Sequence, residues 1–590
     1  MNYKLDEFQK KAIDFEGNLL INAGPGSGKT KILTLKVIKE LNRLKYRTSK
    51  IAALTFTNRA AEEISKRINF EIEDNSKFWS GTIHSFCLNW IIKPYSCYLS
   101  ELKNGYIIID ESEVRKLKNK IKQRYEIPYK KDFITRRSSK GHYLNNKEEF
   151  NEAAKAYHEY LREHKLVDYD LILFYSYMII KKFPLVSYNL SRIFNYFFID
   201  EYQDTQDLQY HIIGQIVSSS KGKCQYFIVG DVDQAIYKSL GGEVKSSEEI
   251  EEIMGGYPLR QLNLKYNYRS TQRIVDFYNN FCCSGNLMYS LSNINSEEGV
   301  IEFDKNINVN RLTDRISCII KENIEQGVLP EDICILAPQW QMLTKTIRNL
   351  RMNLPNLNFN MPGLTLIPRN SDNIWFKIAR LILTYRLPDN YLIRIKWANE
   401  ILEELKSILK SNSELENFTP KKFIKIVSTI NIKNKIITEY LEESFLLVMS
   451  QLNIDHLKNE ALNFKWETFF ESITKRMENQ EFRGVPNDAI STKEMFNVDR
   501  GINANTFHGV KGEEFETVIA FGLLNGYIPN WDIIINAPKY KDKESKQLLY
   551  VVCSRAKKNL YLFSEKGRKT RKQYSYKPNP HLASINFKDI

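Results

Sequence analysis

Short apolar runs bounded by Gly, Asp or Pro recur along the chain: NLLINAG (18–24), IAALTFTN (51–58), YFFIDE (196–201), YFIVGD (226–231), ICILAP (333–338) and TVIAFG (517–522). Each holds roughly four to seven apolar or β-branched residues with little polar alternation, and most lead into a helix-like pattern. That combination predicts buried parallel strands of α/β units. Between Ile83 and Tyr196 the pattern changes to long, polar, helix-favouring sequence such as ESEVRKLKNKIKQRYEIPYKKDFITRRSSKG (111–141), and a second helix-rich block runs from Asp389 to Asn497. The chain is therefore expected to be α/β, with two parallel-sheet cores each interrupted by a mainly helical insertion. The first core is expected at 1–95 and 188–270 with its insertion at 96–187. The second is expected at 271–388 and 498–590 with its insertion at 389–497. The runs LLYVV (548–552) and LYLF (560–563) read as strands on either side of Arg555. A chain of 590 residues is too long for one hydrophobic core, which agrees with this division.

Two strand ends carry chemistry. Ala23, Gly24, Pro25, Gly26, Ser27, Gly28, Lys29, Thr30 and Lys31 form a Gly-rich turn between a strand and a helix with apolar residues at Ile32, Leu33, Leu35, Val37 and Ile38. In such a loop backbone N–H groups converge on phosphate oxygens, Lys29 reaches the terminal phosphates and Thr30 ligates magnesium. The strand YFFI ends at Asp200, a second candidate magnesium ligand, beside Glu201, which can orient and deprotonate an attacking water. Hydrolysis of ATP or a related nucleotide with Mg2+, by Lys29, Thr30, Asp200 and Glu201, is the expected reaction.

With these residues in place, the chain resembles the UvrD/Rep/PcrA-type superfamily 1A DNA helicases. The resemblance rests on an ordered series: LDEFQKKA, AGPGSGKT, LTFTNRAAEEISKRI, GTIHSF, FIDEYQDT, VGDVDQAIY, YNYRS, TFHGVKGEEFETVIAFGLLNG and LLYVVCSRAKKNL, from residue 5 to residue 560. It implies two RecA-like P-loop cores facing each other across an ATP cleft, and an ATP-dependent 3′ to 5′ motor on single-stranded and tailed duplex DNA. It further implies that Gln9 reads adenine, Tyr268 stacks on it, and Glu514 reads the ribose. Gln234 would sense the γ-phosphate, and Arg269 and Arg555 would be arginine fingers. Phe56, Thr57, Asn58, Thr82, His84, Tyr237, Thr506 and His508 would line the DNA groove, with Phe56 and Tyr237 offering faces for base stacking.

Composition adds less. Lys and Arg exceed Asp and Glu by a net +14, which suits a polyanionic partner but equally suits a Lys-rich genome. The basic stretch Arg115–Lys140, interleaved with Tyr125, Tyr129 and Phe133, reads either as a nucleic-acid contact or as a solvated helix face. The tail KGRKTRKQYSYK (566–577) allows the same two readings. Eight cysteines without a C-x-x-C pair fit neither a disulfide scaffold nor a zinc site. No apolar run reaches a membrane span, so no membrane partner is expected and a reducing cytoplasm is the default.

Departures from the family pattern stand at Ser239 and Leu240, where an aromatic and an arginine are usual, and at Glu513, where leucine is usual. The second insertion also looks short. These departures give a rival expectation, a DNA-stimulated ATPase subunit of a multiprotein assembly such as an antiphage complex with a nuclease partner, with weak unwinding.

Overall fold

The structure, a computed structural model, describes residues 5–587 except 45, 47, 73–75, 110, 129–130, 239–240, 362–364, 371–372, 410–414, 416–417, 433–435, 480–481, 483–484, 498–500 and 571. Ser239, Leu240 and Tyr129 therefore lie outside the described residues.

Six parallel strands make the first sheet, in the order Phe78–Thr82, Lys50–Thr55, Phe194–Asp200, Gln225–Gly230, Asn18–Ala23 and Leu259–Leu264. Side chains alternate between its faces. Leu19, Ile21, Ile51, Phe198 and Val229 pack with Ile32, Val37, Ile64 and Ile68 of helices Lys29–Arg43 and Asn58–Glu71. Leu20, Leu54, Phe197 and Ile228 pack on the opposite side. Burial on both faces is the physical reason why the runs are continuously apolar. Strand ends are in register, with Asn22 opposite Gly230, Asp200 opposite Val229 and Thr55 opposite Thr82. The loops that follow them thus open at the carboxyl edge, where open α/β sheets hold ligands.

The second sheet is also parallel, in the order Ile301–Asp304, Ala556–Phe563, Phe515–Ala520, Ile333–Ala337, Ile502–Thr506 and Phe359–Asn360. One expected strand is corrected here. LLYVV belongs to helix Lys541–Cys553, in which Leu548–Val552 are all buried. Arg555 still sits at an element boundary, between that helix and the strand starting at Ala556.

The first insertion carries helices Glu111–Arg124, Glu148–Glu163, Tyr169–Lys182 and Pro184–Ile193. Its core, including Tyr157, Leu161 and Leu173, is continuous with the sheet residues Phe194 and Phe197. Among the described residues no single helix is long and apolar enough to cross a membrane. The second insertion has a separate core around Trp375 and Phe445, whose rings lie 5.2 Å apart. Helix Ile374–Leu383 packs into that core, and Trp375 Nε1 donates to the Leu462 carbonyl at 3.1 Å. By packing, the helical block therefore includes residues upstream of the expected start at 389. The insertions meet where Lys116 pairs with Glu471.

Candidate active site

The phosphate-type loop is shaped by backbone geometry that only glycine adopts cheaply. Gly26 and Gly28 have φ of +69° and +82°, and a Cβ on Gly26 would meet Asn267 Nδ2 at 2.7 Å. The loop is braced by Ser27 Oγ donating to the Gly24 carbonyl (2.8 Å), Asn267 Nδ2 to the Pro25 carbonyl (2.9 Å) and Tyr268 N to the Gly26 carbonyl (2.8 Å). The 15-residue helix that follows starts on Gly28, without a side-chain cap. Its first-turn N–H groups and positive end therefore face the concavity of the loop. Lys29 Nζ donates to the Ala23 carbonyl at 3.1 Å.

The loop opens into a cleft of about 650 Å³ lined by Gly24–Lys31, Glu201, Gln234, Tyr268, Arg269, Glu514 and Arg555, with Arg59, Arg67 and Glu513 at its walls. Cations outnumber carboxylates in this lining, which suits a polyanionic ligand. Arg555 is 2% exposed. Its Nη2 donates to Gln234 Oε1 at 3.1 Å, Nε to the Val551 carbonyl at 3.0 Å and Nη1 to the Glu513 carbonyl at 3.2 Å. Burial, with Arg269 nearby, lowers its pKa to about 10, so it stays charged at neutral pH. Arg269 Nε faces Glu514 Oε2 at 2.6 Å, and Lys557 Nζ lies 3.5 Å from Glu514 Oε1. Burial raises the Glu514 carboxyl, but these two cations outweigh it and hold the group low.

Three expected site residues do not line this cleft: Gln9, Asp200, and Ala23, which is buried at the end of its strand with its carbonyl accepting from Lys29. Gln9 is 2% exposed and is engaged behind the loop, its Nε2 donating to the Ser27 carbonyl at 3.1 Å while its Oε1 accepts from Asp6 N at 3.4 Å. Asp200 opens instead on the adjoining cavity, which it shares with Glu201. Burial and the neighbouring Glu201 push the Asp200 carboxyl up, against the pull of Lys29. For Glu201 burial is outweighed by Lys29 and Lys511, and its carboxyl is held low. Glu201 also takes a left-handed backbone, φ +53°, of the kind that costs about 1–3 kcal/mol and gathers at functional sites. The oxygen donors Thr30 and Asp200 fit a hard divalent cation.

Other residues in the motif loops, not among the expected site residues, hold the site together. Gln203 Nε2 donates to Glu201 Oε2 at 2.5 Å while its Oε1 accepts from Asp231 N at 2.9 Å, tying two strand ends together. Lys511 of the second core pairs with buried Asp204 at 2.5 Å and donates to the Gln234 carbonyl at 2.8 Å. Glu513 forms a cross-cleft pair with Arg59 at 2.6 Å. Asp204 and Lys511 stand inside the quoted FIDEYQDT and TFHGVKGEEF, so their signal was an acid and a base in loops expected to face each other.

On the other side of Glu201, a cavity of about 680 Å³ between the first sheet and its insertion is lined by Phe56, Thr82, His84, Tyr169 and the basic residues Arg115, Lys118, Lys122 and Arg136. Part of that basic stretch therefore faces the cavity, although Lys118 and Lys122 also pair with Asp132. Burial lowers the His84 imidazole to about 4, so it is neutral, and its ring meets Tyr169 edge-on at 5.5 Å. Phe56 stacks on Tyr237 at 5.0 Å, and Tyr237 Oη donates to the His508 carbonyl at 2.9 Å. Thr57 and Thr82 serve as helix N-caps, accepting from Ala60 N and Ser85 N. Asn58 opens the first of those helices. Thr506 Oγ1 accepts from Gly509 N at 3.1 Å. The expected DNA residues thus fall into one group around the cavity and another at the junction of the two cores.

Comparison with known proteins agrees with this architecture. The family described as UvrD/REP helicase N-terminal domain matches residues 5–253, and UvrD-like helicase C-terminal domain matches 352–567. The chain is 26% identical to ATP-dependent DNA helicase Rep of Buchnera aphidicola over 94% of this chain and 93% of that protein. It is 23% identical to ATP-dependent DNA helicase PcrA of Staphylococcus aureus over 100% of this chain and 86% of that protein. It is 24% identical to PcrA of Bacillus subtilis over 96% and 83%. Two cores joined across a phosphate-loop cleft, matched at both halves by the same family, make the chain a member of the UvrD/Rep/PcrA-type superfamily 1A helicases.

Proposed function

We propose that the chain is an ATP-driven motor that moves 3′ to 5′ along single-stranded DNA and unwinds tailed duplexes. One observation carries the reading: the glycine-rich loop, Glu201, Gln234, Arg269 and Arg555 line a single cleft between the two cores. In this proposal Lys29 and the loop N–H groups bind the β- and γ-phosphates, Glu514 holds the ribose and Tyr268 the base, joined by Gln9 once its amide leaves the Ser27 carbonyl. Thr30 and Asp200 would hold a magnesium ion, which when bound would supply positive charge against the phosphates. Glu201 takes a proton from the attacking water, and Arg269 and Arg555 stabilise the charge developing on the γ-phosphoryl group. Gln234 reports hydrolysis to the strand held by Phe56, Thr57, Asn58, Thr82, His84, Tyr237, Thr506 and His508. The polarity rests on the family resemblance. DNA repair, recombination and antiphage defence are the settings it suits.

Strand displacement on duplexes bearing a 3′ or a 5′ single-stranded tail, with ATP, tests the reading. Displacement from the 3′ tail alone is expected, and displacement from the 5′ tail alone contradicts the polarity. Displacement from neither, with ATP turnover intact, supports the second reading, a DNA-triggered ATPase subunit of a larger assembly, which the departures at Ser239 and Leu240 favour.

A further inference from the structure

We infer that the turn Val232–Gln234, although continuous in sequence with the first sheet, is held by the second core, and that Asp233 is the positioning residue that fixes it there. This rests on the proposed motor function. Each residue of the turn takes a hydrogen bond from a group across the junction. The Val232 carbonyl accepts from Gln547 Nε2 at 2.8 Å, on helix Lys541–Cys553. Gln234 accepts from Lys511 at its carbonyl and from Arg555 at its side chain. Asp233, 2% exposed, accepts four times from one loop. Oδ1 takes Cys283 N at 2.8 Å and Ser284 N at 3.0 Å, and Oδ2 takes Ser284 Oγ at 2.5 Å and Cys282 Sγ at 3.3 Å. That loop follows helix Gln272–Asn279, whose Ile274, Val275, Phe277 and Tyr278 belong to the apolar core of the second sheet.

The apolar packing after the turn points the same way, although Val232 itself packs on the first sheet's core. Ile236, 4% exposed, is part of the second sheet's core, and Tyr237 packs against it. Attachment to the first core runs through Asp231, through Val232 against the first sheet's core and through Tyr237 stacked on Phe56. Asp231 accepts Asp233 N and Gln234 Nε2 on its side-chain oxygens (3.0 and 2.7 Å) and Gln234 N on its carbonyl (3.0 Å). Asp231 is thus the backbone seam, and the polar contacts of residues 232–234 tie the turn to the second core when the cleft changes width. A buried carboxylate with four donors is a rigid anchor, because withdrawing it would leave its charge unsolvated. It also fixes Gln234, the next residue, against Arg555. Asp233 touches no cleft wall itself, so it acts through Gln234.

Asp233→Asn keeps the size but replaces one acceptor oxygen by an amide that faces donors. It is expected to lower the kcat of DNA-stimulated ATP hydrolysis about tenfold, with the KM for ATP within twofold of wild type. Ser284→Ala removes one donor of the four and is expected to lower kcat about threefold in the same way. If the first variant does not fold, the second carries the test by the same criterion. A kcat equal to wild type in a folded variant overturns the inference, as does a loss fully explained by raised KM or by less folded protein. Failure of the underlying reading looks different, since wild-type turnover would then not respond to single-stranded DNA at all.

Discussion

Replacing Glu201 by glutamine is expected to lower ATP turnover by about 10²–10⁴-fold, the range typical of losing a positioned general base, while nucleotide binding persists. The amide matches the carboxylate in size, and the left-handed backbone at this position, φ +53°, is unaffected by the exchange. What disappears is the proton acceptor. In the native protein the group is held in its charged form by Lys29 and Lys511 despite burial, and Gln203 fixes one oxygen. Steady-state phosphate release measures the loss, and binding of a fluorescent ATP analogue checks that the cleft still fills. Turnover within a few-fold of wild type would remove Glu201 from the proposed mechanism.

Arg555→Ala is expected to lower kcat by about 10³-fold or more, the lower end of what an arginine finger contributes in phosphoryl transfer. It will also cost stability, because the Gln234 side chain and the Val551 and Glu513 carbonyls each lose a donor inside a site with little access to water. Arg269 provides the control. Its side chain is less buried and its principal partner is the half-exposed Glu514, so Arg269→Ala is expected to reduce kcat strongly with a smaller fall in Tm. Comparing kcat with thermal unfolding for both variants separates chemistry from folding. Equal loss of Tm with little loss of kcat would mean that the two arginines are structural.

The α/β character and the phosphate loop were legible because both depend on local signals: apolar runs buried on two faces, and glycines at positive φ. LLYVV was not, since a short apolar run fits a strand or a buried helix equally well, and here tertiary packing around Leu549, Val551 and Val552 selected the helix. The extent of the second insertion was also hidden. Helix Ile374–Leu383 reads as ordinary amphipathic sequence, and only its docking of Trp375 on Phe445 assigns it to that core. At the site, motif residues could be quoted from sequence, but their engagement could not. Nothing local says that Gln9 is turned onto the Ser27 carbonyl, that Phe56 and Tyr237 stack on each other, or that Lys511 reaches Asp204 across the junction. Those contacts join residues far apart in sequence, and the last of them is set by how the two cores meet.

In the proposed motor, this cleft hydrolyses ATP in response to a DNA strand held by both cores. The most direct test is the steady-state ATPase rate of the purified full chain with and without a single-stranded oligonucleotide, beside Glu201→Gln as the inactive control. Turnover is expected to rise at least tenfold with DNA in the native protein and to stay at background in the variant. Turnover that is equal with and without DNA, or that survives in Glu201→Gln, would contradict the proposed motor.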